Sequence, residues 1–67
     1  MFEYRKNILY VYELNKIIEV SSSYISVSSK RTIIDIRGVD LLLTSFDDKE
    51  ISIKGKIDNI SIININV

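Results

Sequence analysis

The chain has 67 residues with nine basic and nine acidic side chains, and it contains neither cysteine nor histidine. A chain of this length holds at most one domain with a small core, which lone β domains often complete by oligomerising or by docking on another protein. The missing residue types exclude disulfides, thiolate metal sites and the usual zinc ligands. The balanced charge argues against a nucleic-acid binder, which normally carries a basic excess.

Residue choice favours β-sheet along the whole chain. There are 14 isoleucines and no alanine, so sheet-forming side chains are abundant and the best helix former is missing. No apolar run approaches the roughly 20 residues that span a bilayer, and the N-terminus lacks the long apolar stretch of a secretory signal. The predicted location is the cytoplasm.

The N-terminal part predicts a loose end, a strand and a turn. Residues 1–6 are mixed and charged, which indicates a loosely ordered N-terminus. Residues 7–13 alternate as a strand with apolar side chains on both faces, so this strand is expected to be covered on both sides. Residues 14–16 are predicted to turn, because Asn15 tolerates the left-handed conformation.

A pattern of apolar residues then repeats three times, at intervals of 16 and 17 residues. Each copy has an alternating strand, a small residue and a second alternating strand, and the small residues are Ser22, Gly38 and Gly55. The two glycines are predicted structural turns that permit a bend or bulge. The serines of residues 21–28 are interpreted as the solvent side of strands, and polar turns are predicted at 29–32 and 47–49.

This period predicts an all-β fold, with residues 1–67 as a single domain. The favoured architecture is a small antiparallel meander curling into a barrel or sandwich, since hairpins are the commoner arrangement. The alternative is a short β-solenoid with repeats of about 17 residues. In the solenoid, Ile34 would stack on Ile51 and Gly38 on Gly55.

The C-terminal residues 63–67 keep alternating, but their apolar phase shifts by one residue. Such a shift turns the apolar side chains to the opposite face, so either a bulge lies near Ile62 and Ile63 or the tail buries against something else. An uncapped strand with isoleucine on both faces is a template for edge pairing. If they are exposed in the monomer, Ile63, Ile65 and Val67 are the candidate interface.

Charged residues suggest one further surface. Arg37, Lys54 and Lys56 form a candidate basic stripe, which could meet anionic lipid headgroups or an acidic partner. Nearby carboxylates favour instead a solvated or ion-paired face; they belong to Asp35, Asp40 and Asp58.

No catalytic, cofactor-binding or metal site is predicted. The acidic residues 47–50 lack the spacing of a calcium-binding loop and are interpreted as a hairpin turn. Without histidine or cysteine the serines cannot be assembled into the familiar nucleophilic triads. Gly38 and Gly55 match no nucleotide motif, so neither an enzyme nor a small-molecule substrate is expected.

The order of these segments resembles the YabP/YqfC family of bacterial sporulation proteins. The resemblance is carried by residues 23–28, 34–43 and 50–60, the last with the pattern Ile-x-Ile-x-Gly-x-Ile-x-x-Ile. Residues 7–20 resemble the strand and turn that precede this region in the YqfC branch. The chain lacks that branch's extra N-terminal segment, and residues 30–32 stand where a glycine is more usual.

The resemblance implies a non-enzymatic protein made in the mother cell during endospore formation. It also implies a membrane partner of the YqfD type at the membrane surrounding the forespore. The predicted function is therefore a sporulation-associated interaction or scaffold module that forms homo-oligomers or docks on a membrane protein. The alternatives are a polymerising β-solenoid scaffold and a small β-barrel nucleic-acid binder, which the scarcity of basic-aromatic pairs disfavours.

Overall fold

The computed structural model describes residues 2–65, which form one antiparallel sheet without helices. The strands are Phe2–Arg5 (β1), Ile8–Val11 (β2), Leu14–Val20 (β3), Tyr24–Ser29 (β4), Thr32–Asp47 (β5) and Glu50–Asn64 (β6). Their order in the sheet is β1-β2-β6-β5-β4-β3. The prediction of an all-β antiparallel meander is confirmed, with β3 to β6 consecutive and the β1–β2 hairpin added beside β6.

The long β5–β6 hairpin organises the sheet, because its two ends have different neighbours. The N-terminal part of β5 pairs with β4, from Ser29 opposite Thr32 to Tyr24 opposite Arg37. The N-terminal part of β6 pairs with β2 along residues 51–54. Register shifts between residues 37 and 45 of β5 interrupt the ladder between these two regions. Such bulges bend a strand and increase its twist, so the hairpin changes direction here.

Gly38 and Gly55 lie within these long strands, where the two backbones approach closely. Gly55 has φ of +129°, and a Cβ atom there would come within 2.6 Å of the Asp40 carbonyl oxygen. A Cβ atom at Gly38 would collide with the carbonyl oxygen of Lys56. Both positions therefore need glycine for close approach, and only Gly55 needs it for its backbone conformation as well.

The core draws side chains from both regions of the sheet. The fully buried aliphatic residues belong to one cluster and are Leu9, Val11, Ile25, Val27, Ile34, Ile36, Ile51 and Ile53. Members from β2 and the start of β6 thus pack with members from β4 and the start of β5. The bend in the β5–β6 hairpin brings these two regions face to face.

The N-terminal region corrects two sequence predictions. Residues 2–5, predicted to be loose, form β1, because Lys6 and Asn7 adopt φ of 53° and 66° and close a two-residue hairpin with β2. Residues 14–16 are not a turn but the start of β3. The chain turns one residue earlier at Glu13, whose φ is 57°, and Leu14 is buried in the core.

The serines of β4 correct a third prediction, because Ser26, Ser28 and Ser29 are buried. The Ser26 hydroxyl donates to Asp35 Oδ1 at 2.7 Å. The Ser29 hydroxyl lies 2.7 Å from the Tyr12 carbonyl oxygen. Ser26 and Ser28 alternate with the core residues Ile25 and Val27, so they lie on the opposite face of β4, whereas Ser29 lies on the core face. Buried hydroxyls are tolerated when they are hydrogen-bonded, as those of Ser26 and Ser29 are.

The barrel and solenoid alternatives are wrong. The sheet has edges at β1 and β3, so it does not close into a barrel. Ile34 lies opposite Ile62 and Ile51 opposite Phe46, both in antiparallel ladders, so the equivalent positions of the repeat do not stack. The repeat reflects strands of similar pattern, not successive coils.

Candidate functional site: the open edge of β6

The C-terminal part of β6 has a strand on one side only. Residues 51–54 pair with both β2 and β5. From residue 56 to residue 64, β5 is the sole ladder partner of β6 within the described part of the chain. We call residues 56–64 the open edge.

The hydrogen-bond phase shows which backbone groups this edge presents. Ile65 N–H donates to the Arg31 carbonyl at 2.7 Å, and Gly38 N–H donates away from β6 to the Ser23 carbonyl at 3.1 Å. Residues of an antiparallel strand alternate between facing one neighbour and the other. The alternation therefore directs the N–H and C=O groups of Ile60, Ile62 and Asn64 away from β5, toward the open side.

Isoleucine side chains are exposed on both faces of the open edge and just beyond it. The exposed fractions are 53% for Ile62, 50% for Ile63 and 38% for Ile65. Ile62 lies opposite the core residue Ile34, and Ile63 lies on the other face. The pairing continues in register through Ile62 and Ile63, so the bulge considered from the sequence is absent there. Val67, the third predicted interface residue, lies outside the described residues.

Two cavities lie between side chains of β1 and residues of the open edge. Tyr4 of β1 and residues 57–60 of β6 line a cavity of about 320 Å³. A second cavity of about 440 Å³ is lined by Phe2, Thr32, Ile34 and Ile62.

The last part of the open edge, from residue 60 onward, lacks the features that usually protect sheet edges. Proteins guard such edges with charged side chains, proline or bulges. Residues 60–65 contain no charged residue and no proline. In contrast, β1 carries Glu3 and Arg5, and β3 carries Lys16, Glu19 and two register shifts. Residues 42–47 of β5 also pair with β6 alone, but register shifts interrupt that stretch and its start. Residues 60–65 of β6 are therefore the least protected of these edges.

The predicted basic stripe lies around the bend of the hairpin. Lys56 is opposite Val39 and Lys54 is opposite Leu42, and both apolar side chains are at least half exposed. The ion pairs found in residues 2–65 join Arg5 to Glu3 and Lys30 to Glu13, so the stripe is not neutralised by the aspartates considered from the sequence. Arg37 instead places its guanidinium 4.5 Å from the centre of the Tyr24 ring.

Sequence reasoning missed a cluster on the outer face of β1 and β2. The Arg5 guanidinium lies 4.6 Å from the centre of the Tyr10 ring and 3.1 Å from Glu3. The Tyr12 hydroxyl donates to Glu3 at 3.2 Å. The Tyr12 hydroxyl, followed by the Glu3 carboxylate, raises the pKa of Arg5. Glu3 and Arg5 are two residues apart in the sequence, as are Tyr10 and Tyr12. With a hairpin assumed between the two pairs, this spacing would have predicted that all four side chains share one face.

Within residues 2–65, no group of three or more histidine, cysteine, aspartate or glutamate side chains is placed to hold a metal ion. That part of the chain also contains no helix long and apolar enough to cross a membrane.

Comparisons with protein-family models, with curated proteins and with solved structures find no match to this chain. The resemblance to the YabP/YqfC family stays a prediction from the residues.

Proposed function

We propose that this protein is a non-enzymatic interaction module that assembles through the open edge of β6. The observation that supports this function is the last part of the open edge, residues 60–64, which is unpaired on one side, carries no charge and has half-exposed isoleucines on both faces. Such an edge is a template for pairing with another strand, whose main chain supplies affinity and whose side chains supply specificity.

The free energy expected for association through the open edge favours reversible assembly. Fully burying an isoleucine side chain gives about 1.5–3 kcal/mol, so Ile62 and Ile63, which are half buried already, would each give about half of that. Association costs at least about 4 kcal/mol in lost freedom of motion. Apolar burial and a few backbone hydrogen bonds exceed this cost by a small margin, so we expect a weak complex that forms and dissociates with concentration.

The family resemblance suggests a setting for this activity. It would place the protein in the cytoplasm of the mother cell, at the forespore membrane, with a YqfD-type membrane protein as a partner. In that setting, the protein would act as a scaffold or adaptor of sporulation. The open edge could serve either a second copy or the membrane protein.

A second candidate surface is supported by the exposed residues at the bend. Val39 and Leu42 are 50% and 61% exposed beside Lys56 and Lys54. Apolar side chains flanked by lysine are typical of surfaces that meet anionic lipid headgroups. This patch would hold the module at a membrane while the open edge binds its partner.

The test is the molar mass of the purified protein by light scattering over a range of concentrations. We expect the mass to rise with concentration, and the Ile63→Lys/Ile65→Lys variant to remain monomeric with an unchanged sheet signal in circular dichroism. The matched control is Ile18→Lys on β3, since Ile18 is 48% exposed and Ile63 is 50% exposed.

Three outcomes would count against the proposal. The double variant could assemble like the wild type, or Ile18→Lys could prevent assembly equally well. Loss of the sheet signal in the double variant would show that Ile63 and Ile65 support the fold itself.

A further inference from the structure

We infer that the strand received by the open edge is β6 of a second copy of this chain, paired antiparallel about a two-fold axis at Ile62. The inference deepens the proposed function and rests on it, because it names the partner and the geometry of pairing. It follows from the backbone phase, the side chains and the charge of the edge.

The backbone phase limits the register. Only Ile60, Ile62 and Asn64 direct their N–H and C=O groups outward between residues 59 and 65, as the bonds of Ile65 and Gly38 show. A two-fold antiparallel pair must join outward residues to outward residues. An axis at Ile62 joins Ile62 to its own copy and Ile60 to Asn64 of the second copy. Every outward N–H and C=O group between residues 59 and 65 then has a hydrogen-bonding partner in the second copy.

Charge explains why a second copy fits. Residues 60–65 have no charged side chain, so two copies bring no like charges together. An uncharged strand places no unpaired charge beside these isoleucines, and any matching strand must present outward groups at alternate residues of an unpaired edge. The chain's own β6 has these properties.

The other edges of the sheet match less well. Pairing β6 with β1 would place isoleucines beside Glu3 and Arg5, and pairing it with β3 would place them beside Lys16 and Glu19. Head-to-tail contacts of those kinds generate rings or open filaments, whereas pairing of β6 with β6 closes at two copies. The geometry therefore points to a dimer and not to a filament.

The strength of this dimer is limited by its area. Two paired strands of about six residues bury less than the roughly 1,200 Å² of a standard stable interface. We therefore expect a dissociation constant in the micromolar range or weaker, with monomer predominant in dilute solution.

Amide hydrogen exchange of the wild-type protein, followed by NMR at low and high concentration, tests the pairing directly. The amides of Ile60, Ile62 and Asn64 should exchange quickly in dilute protein and at least about tenfold more slowly in concentrated protein, where the second strand binds them. The amides of Ser61, Ile63 and Ile65 should be protected at both concentrations, because they already face β5.

A proline variant provides an independent readout. Ile62→Pro removes an N–H donor that faces the open side, and it removes no hydrogen bond to β5. Proline is tolerated at such positions of edge strands. Each dimer loses two such bonds, one at each copy, which should weaken dimerisation about tenfold or more. Ile62→Val is the matched control, because it keeps the amide and a β-branched apolar side chain. If the proline variant fails to fold, the exchange data of the wild type decide.

The outcomes separate this inference from the proposed function. If a dimer forms while the Ile62 amide stays unprotected, the pairing is overturned and an interaction module remains. If the protein stays monomeric, with the Ile60 and Ile62 amides exchanging quickly at all concentrations, a second copy is not the partner. The proposed function then survives only if another protein binds the wild type and not the Ile63→Lys/Ile65→Lys variant.

Discussion

Ser29 shows how much a single small residue contributes to this fold. It is 1% exposed, and its hydroxyl lies 2.7 Å from the Tyr12 carbonyl oxygen and 3.1 Å from that of Glu13. These two residues form the entire link between β2 and β3, which carries the chain from beside β6 to the far edge of the sheet. A hydroxyl from β4 thus binds a connection whose carbonyl groups would otherwise be poorly satisfied.

Gly55 offers the sharpest test at this scale. Gly55→Ala places a Cβ atom against the Asp40 carbonyl in a backbone conformation with φ of +129°. We expect a loss of about 1–3 kcal/mol in the free energy of unfolding, because L-residues are strained there. Urea unfolding followed by circular dichroism measures it.

Ser23→Ala, in the exposed link before β4, is the control for Gly55→Ala and should change stability by less than about 0.5 kcal/mol. A Gly55→Ala protein as stable as the wild type would mean that the backbone at Asp40 and Leu41 moves aside without cost.

Among the elements, the β1–β2 hairpin depends most on its turn. Lys6 and Asn7 both have positive φ, which defines a type I′ turn and matches the twist of the flanking strands. Asparagine adopts such angles more readily than lysine does. The outer cluster of Arg5, Tyr10 and Tyr12 then adds contacts along the two strands.

Lys6→Asn should therefore stabilise the protein by about 0.5 kcal/mol, through a turn residue that prefers its observed conformation. The matched control is Lys16→Asn in β3, the same chemical change at an exposed strand position, which should be neutral or destabilising because asparagine is depleted in strands. Urea unfolding of both variants measures the difference. Equal effects at the two positions would show that the turn conformation is not the cause.

The sequence predicted which segments form strands better than it predicted where each strand begins and ends. Alternation identified Leu9 and Val11 as one face of a strand, and both are buried. The glycines appeared as breaks between separate strands, yet β5 and β6 run through them. A bulge inside one strand and a turn between two strands produce the same interruption of the apolar pattern, so periodicity alone cannot separate them.

For the whole molecule, the open edge was only partly predictable. The exposure of Ile63 and Ile65 follows from their phase in the sequence, which places apolar residues on both faces. The identity of the edge does not, because it depends on β2 pairing with residues 51–54 and leaving residues 56–64 without a second neighbour. No local pattern encodes which distant strands will pair.

Binding through the two candidate surfaces of the molecule should respond differently to salt. Self-association through residues 60–65 involves no charged side chain, so raising sodium chloride from about 0.1 to 1 M should leave it unchanged or strengthen it. Binding of anionic vesicles through Lys54 and Lys56 should weaken over the same range. Light scattering and vesicle sedimentation measure the two effects. Self-association that is lost in high salt would contradict the assignment of the open edge.

The position of β2 beside β6 also sets an order of events during synthesis. Residues 8–11 leave the ribosome before their second neighbour in the sheet, residues 51–54, because β3, β4 and β5 lie between them in the chain. At cellular elongation rates, the N-terminal hairpin waits on the order of seconds for that neighbour. We therefore expect β3 to β5 to form contacts first, and β1 and β2 to join the sheet only after β6 is made.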